Sequence, residues 1–238
     1  MAKAFAIALV FLAFGTRAET KTGPYDSTVL SLRWPVSFCT AFASRVRCEE
    51  PIENNFTIHG LWPMYSVPEG SITVDAYDIN KGCTTITPMP KDRIKKKLLK
   101  SIRHDLNIYW HDTVHPRSEF HNIENWQYQW GKHGMCFDDP DQPLYYFQTG
   151  LVRAKSLNIL DILSTANIVP TDEHGYDGEA IETAIKESLR VQPIIVCNDY
   201  GRRLLLLEEV HICYHKNGSP TISSSTHHKS VWYVHVNK

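Results

Sequence analysis

No two cysteines in this chain are spaced as C-x-x-C, although there are six of them, and without that pattern a structural zinc site is not expected. A broad excess of positive charge is also missing. Lys and Arg number 25 against 26 Asp and Glu, a formal net charge of −1. No basic field therefore draws in nucleic acid from a distance, and contact with a polyanion has to come from a local site. Beyond the N-terminus no apolar run has the roughly 18 residues that a membrane-spanning helix needs. There is no internal repeat, low-complexity tract or linker. What remains is ordinary for a folded chain: 238 residues, 42% hydrophobic and 21% charged, enough for one large domain with a sizeable core.

The N-terminus has a pattern of its own. Lys3 is followed by an uninterrupted apolar run from Ala4 to Phe14, and Thr16-Arg17-Ala18 then supplies the small residues of a cleavage site. This predicts a signal peptide over residues 1–18, leaving a mature domain over 19–238. Secretion permits disulfides among Cys39, Cys48, Cys83, Cys136, Cys197 and Cys213. The expected destination is the secretory pathway, ending outside the cell or in the vacuole.

Runs rich in β-branched and aromatic residues predict strands at Val29–Trp34, Phe56–Trp62, Pro193–Asn198, Leu204–His215 and Trp232–Val236. Within the fourth, Val210, Ile212 and Tyr214 alternate with His211, Cys213 and His215, as in a half-buried strand. Asp199-Tyr200-Gly201 predicts a hairpin turn. Ile94, Leu98, Ile102 and Leu106 repeat every four residues and predict a helix, as does the apolar face of Leu151 to Leu163. A third helix carries Ala180, Ile181, Ala184, Ile185 and Leu189 behind an N-cap at Asp177. Strands and helices mix without a βαβ rhythm, so the fold class is α+β.

Two segments carry chemistry. One is Phe56-Thr57-Ile58-His59-Gly60-Leu61-Trp62-Pro63, an apolar strand with an imidazole in it. The other runs from Trp126 to Cys136, with Trp126, Gln129, Trp130 and His133 at helical spacing and so on one face. Two histidines titrate near the working pH and can serve as base and acid. Lys132 can stabilise charge that develops on a phosphoryl group, and Trp62 can stack an unpaired base. RNA supplies its own nucleophile, the 2′-hydroxyl, which DNA lacks.

FTIHGLWP and WQYQWGKHGMC resemble the two active-site segments of T2 ribonucleases. Arg33-Trp34-Pro35 before Cys39, the spacing of Cys39 and Cys48, and the run from Leu206 to Tyr214 also resemble that family. The likeness spans about residues 24 to 236. It implies an α+β fold around an antiparallel sheet. The implied activity is cleavage of single-stranded RNA to 2′,3′-cyclic phosphates, with no metal and no cofactor. His133 is then the base, His59 the acid and Lys132 the charge stabiliser. Arg33, Asp112, Thr113 and Asn125 stand near positions where the family contacts RNA. Gln129 replaces a glutamate of the family motif, Tyr128 a histidine, Asn125 a phenylalanine and Arg33 a common glutamine.

The resemblance also implies bridges Cys39–Cys48 and Cys83–Cys136. If Asp199–Arg203 is a hairpin turn, Cys197 lies opposite roughly residue 205. Cys213 is then on the order of 25 Å away, beyond the reach of about 7 Å that a disulfide allows, so two thiols are expected to stay free. The basic run around Lys95-Lys96-Lys97 is expected to be a solvated face. Asn55-Phe56-Thr57 and Asn217-Gly218-Ser219 are glycosylation sequons. The leading expectation is a monomeric secreted endoribonuclease acting on single-stranded RNA. The alternatives are a self-incompatibility ribonuclease with protein partners and an inactive storage or binding protein on the same fold.

Overall fold

A computed structural model describes residues 23–67, 70–199, 205–221 and 233–236. Residues 1–18, where a signal peptide is expected, Tyr200-Gly201 of the expected turn, the serines at 223–225 and 230, and His227 and His228 lie outside the described residues.

At the centre of the sheet, β1 (Ser27–Arg33) runs antiparallel to β2 (Thr57–Val67) on one side and to β6 (Leu205–His215) on the other. β3 (Gly70–Thr73) folds back on the end of β2, and β5 (Ile194–Asp199) lies along β6. The short β7 (Tyr233–His235) is the exception in direction, parallel to the start of β6, and pairs in turn with β4 (Tyr176–Asp177). Seven helices accompany the sheet among the described residues: α1 (Pro35–Ala41), α2 (Tyr77–Asn80), α3 (Arg103–Tyr109), α4 (Glu119–Lys132), α5 (Pro143–Lys155), α6 (Ile159–Thr165) and α7 (Gly178–Leu189). The architecture is α+β, and no helix among the described residues is long and apolar enough to cross a membrane.

One face of the sheet is apolar. Leu30 and Leu32 of β1, Ile58 and Leu61 of β2, and Val210 and Ile212 of β6 are buried there, in one cluster with Trp110, Trp126, Trp130, Tyr146 and Phe147. Two of the buried indoles, both on α4, find backbone acceptors. Trp126 Nε1 donates to the Trp110 carbonyl at 2.6 Å, and Trp130 Nε1 to the Met89 carbonyl at 2.7 Å. These two bonds fix α4, the helix on which most of the site depends. The Ser118 side chain caps its N-terminus by accepting from the His121 amide.

Three expectations need correction. The segment from Ile94 to Leu106 is not one helix. The Ile94 carbonyl accepts from Gln127 Nε2 at 3.1 Å, and the Leu98 amide turns instead to the Lys95 carbonyl. Helix begins only at Arg103, and Leu99 rather than Leu98 is fully buried. Leu151 to Leu163 is likewise two helices. Ser156 Oγ takes the Arg153 carbonyl, and Asn158 adopts a left-handed conformation (φ 34°) that few side chains tolerate. Third, the hairpin register is shifted by two. Cys197 lies opposite Leu207, because Asp199, expected to open the turn, still pairs with Leu205; a further slip of one residue follows between Val196 and Cys197.

Cys39–Cys48 and Cys83–Cys136 are bridged, with Cα atoms 5.9 and 5.4 Å apart. Cys197 and Cys213 are free, and Cys213 lies beside Val29 of β1.

Candidate active site

The site is built on an irregularity in β2. Ser31 pairs with Gly60, but the next residue of β1, Leu32, pairs with Ile58. His59 is the extra residue. In a regular strand it would fall opposite Leu32 and point into the core. The bulge turns it to the other face, with Ser31 and Arg33. His133 arrives from the other side, at the C-terminal end of α4, where its amide donates to the Gln129 carbonyl at 3.0 Å. The Cys83–Cys136 bridge anchors the chain three residues further on.

Between the histidines stands Trp62. Its ring centroid is 5.3 Å from that of His59, 5.8 Å from that of His133 and 5.2 Å from that of His211. A cleft of about 370 Å³ opens here, lined by His59, Trp62, Tyr128, Gln129, Lys132 and His133, with Asp75 and Ile79 also on its wall. The volume lies within the usual range for small-ligand sites. Lys132 Nζ donates to the Tyr128 hydroxyl at 2.9 Å, one turn back along α4, which holds the ammonium at the mouth. Three buried polar atoms here have no partner within the protein: Trp62 Nε1, Gln129 Oε1 and His133 Nδ1. Buried polar groups are seldom left unmatched, so their gathering in one cleft marks it as a place for a polar ligand.

The two imidazoles differ in their surroundings. Burial, then the neighbouring charge of Lys132 and that of His59, bring His133 down to about 3. His59 is also lowered, by burial and by Arg33, against the opposing pull of Glu209. Its Nδ1 is 2.6 Å from Glu209 Oε1. His133 is thus the natural acceptor of a proton and His59 the better donor.

Six of the residues singled out in the sequence therefore meet in one cleft: His59, Trp62, Tyr128, Gln129, Lys132 and His133. Arg33 sits behind it, its Nη2 3.0 Å from Nδ1 and 3.1 Å from Nε2 of His59. Three do not join. Asp112 caps a turn, its Oδ1 accepting from the amides of Val114 and His115, and its own amide donates to Asn122. Thr113 belongs to that turn, and Asn125 is one helical turn before Tyr128 and off the cleft wall. Asn55 is exposed, whereas Thr57 of the same sequon is buried with its hydroxyl on the Tyr109 carbonyl. The basic run is solvated, as expected, and Lys96 and Arg103 both pair with Glu119. Among the described residues no group of three or more His, Cys, Asp or Glu side chains is placed to hold a metal.

Sequence reasoning missed Glu209 and its neighbour His211. Period-two alternation puts both on one face of β6, and β1 sets Arg33 opposite Glu209 and Ser31 opposite His211. The signal was an acidic residue inside an apolar strand.

Residues 25–224 match the model of the ribonuclease T2 family. The chain belongs to that family. Ribonuclease 1 of Arabidopsis thaliana is 30% identical over 218 residues, covering 90% of this chain and 86% of that protein. Ribonuclease S-2 of Antirrhinum hispanicum is 30% identical over 212 residues, covering 86% and 78%. The crystal structure of the self-incompatibility-associated SF11-RNase of Nicotiana alata superposes with a TM-score of 0.70 at 26% identity, covering 90% of this chain and all of that one. T2 ribonucleases thus share both the sequence pattern and the α+β architecture of this chain.

Proposed function

We propose that the protein is a secreted, metal-independent endoribonuclease that cleaves single-stranded RNA by attack of the 2′-hydroxyl. His133 takes the proton of that hydroxyl, and the freed oxygen attacks phosphorus. The bond from phosphorus to the 5′-oxygen breaks, and His59 delivers its proton to that leaving oxygen. The products are a 2′,3′-cyclic phosphate and a free 5′-hydroxyl. Lys132 and the Gln129 amide face the charge that accumulates on the phosphoryl oxygens, and the rings of Trp62 and Tyr128 give bases a stacking surface. The observation that carries this reading is the pair of unlike histidines on one cleft, one held neutral and the other backed by a carboxylate. Entry into the secretory pathway through residues 1–18, with an extracellular or vacuolar destination, is supported by the two disulfides, which need an oxidising compartment.

The purified protein is expected to degrade single-stranded RNA at the same rate with and without EDTA and to leave single-stranded DNA intact. Loss of activity on chelation, or cleavage of DNA, would overturn the mechanism. The likeness to self-incompatibility ribonucleases favours a second reading, in which the same chemistry serves pollen rejection through protein partners. Plants lacking the protein would then accept pollen that they normally refuse.

The pH profile is a further expectation. Activity needs His133 unprotonated, so it rises as pH climbs through about 3. It also needs His59 protonated, so it falls as pH passes the His59 value, which lies below the usual imidazole value of about 6.5. The profile of kcat/KM should therefore be a bell with its maximum well on the acid side of neutrality. A maximum above pH 7 would contradict the assignment of the two roles.

A further inference from the structure

Glu209 is 5% exposed, and its carboxylate is bonded on every side. Oε1 accepts from Arg33 Nε at 3.1 Å and Arg33 Nη2 at 2.8 Å, and lies 2.6 Å from His59 Nδ1. Oε2 accepts from Ser31 Oγ at 2.7 Å and meets His211 Nε2 at 2.8 Å. A buried carboxylate is costly unless it is paired and hydrogen-bonded, and this one is saturated. Burial pushes its proton affinity up. The bonds from His211 and His59 and the charges of His59 and Arg33 outweigh that and hold it well below the usual carboxylate range. Glu209 therefore stays ionised and does not carry protons itself.

We propose that Glu209 is a positioning residue for His59, fixing the ring in the Nδ1–H tautomer and so leaving Nε2 as its acid atom, while Arg33 opposes it by favouring the unprotonated ring. The inference rests on the ribonuclease reading. An anionic Glu209 can only accept, so Nδ1 must donate to it. That leaves Nε2 as the atom that hands a proton to the leaving oxygen. The Nη2 of Arg33 lies within 3.1 Å of both ring nitrogens, and its fixed positive charge disfavours a second one on the ring. Glu209 thus stabilises the imidazolium and Arg33 the imidazole. Because Arg33 already balances the charge of Glu209, a protonated His59 leaves the cluster with a net positive charge in a half-buried site. Burial is the largest cause of its lowered proton affinity, and the charges of Arg33 and His211 add to it, so the affinity falls despite the carboxylate. The other ionisable groups around His59 are His211 and Glu208 on β6, His133 and Lys132 at the end of α4, and Asp75 across the cleft.

The two residues should move the same limb of the pH profile in opposite directions. In Glu209→Gln the basic limb of kcat/KM shifts to lower pH and kcat falls at least tenfold, with KM changed less than threefold; Glu209→Asp recovers part of the loss. In Arg33→Gln the basic limb shifts to higher pH. Equal losses in both variants with unmoved limbs would mean a merely structural role and would overturn the proposal. If Glu209→Gln does not fold, ¹⁵N NMR of the imidazoles in the wild-type protein decides: neutral His59 is expected as the Nδ1–H tautomer, and an Nε2–H tautomer refutes the idea. The NMR result stands whether or not the protein cuts RNA, so failure of the ribonuclease reading is seen separately, in the wild-type assay.

Discussion

Replacing His133 with alanine is expected to lower kcat/KM on single-stranded RNA by about 10²–10⁴-fold, the range that a positioned acid or base contributes. At the middle of that range the transition state loses about 4 kcal/mol. The protein should nonetheless fold and be secreted. The side chain of His133 is buried, but its Nδ1 has no hydrogen-bond partner within the protein, so its removal strands no other group. The backbone bond from residue 133 to the Gln129 carbonyl survives in the variant. His59→Ala should cost as much activity and more stability, because Glu209 then keeps Arg33, Ser31 and His211 but loses one of its four partners. Steady-state kinetics on a dinucleotide, beside thermal unfolding, separates the two costs. Added imidazole should partly restore His133→Ala, since the vacated space opens on the cleft. Near-normal rates in either alanine variant would remove that histidine from the mechanism.

How much of this was legible beforehand depends on the kind of interaction. Five of the strands, α7 with its Asp177 cap, and the face of α4 follow from local period and capping chemistry, whereas the short β3 and β4 and the extension of β2 to Val67 were not foreseen. The breaks at Ile94–Ile102 and Ser156–Asn158 were hidden. They are decided by side chains that capture backbone groups, Gln127 on the Ile94 carbonyl and Ser156 on that of Arg153, and a hydrophobic period does not register them. The site divides in the same way. His59, Lys132 and His133 stand out by residue type and by resemblance. Glu209 is 150 residues from His59 and meets it only because β1 brings β2 and β6 to its two edges. One clue was present in the sequence and went unused. Ile58 and Leu61 are both core residues three apart, and in a strand of period two an odd spacing between core positions requires an extra residue between them. That residue is the catalytic candidate, His59, and the glycine beside it has a task that the motif alone does not explain.

Gly60→Ala is expected to cost about a hundredfold or more in kcat/KM although it adds a single methyl group. Gly60 is not among the described residues with a positive φ, so conformational freedom is not what selects it. Space is. A Cβ at this position would lie 2.1 Å from Trp62 Nε1, 2.9 Å from Trp62 Cδ1 and 2.7 Å from Gln129 Oε1. Atoms do not approach so closely, and an indole is too stiff to bend aside at its five-membered ring. Trp62 would have to rotate as a unit, and it touches His59, His133 and His211 at once. A displacement of about 1 Å at a reacting group is enough to lose two orders of magnitude. The loss should fall mainly on kcat. A double-mutant cycle tests the cause. Trp62→Phe removes the indole nitrogen that the new methyl group would strike, so Gly60→Ala should cost several-fold less in the Trp62→Phe background than in the wild type. Strict additivity of the two substitutions, or wild-type kinetics for Gly60→Ala alone, would show that the strand can yield and that the packing of Trp62 against Gly60 does not set the geometry of the histidines.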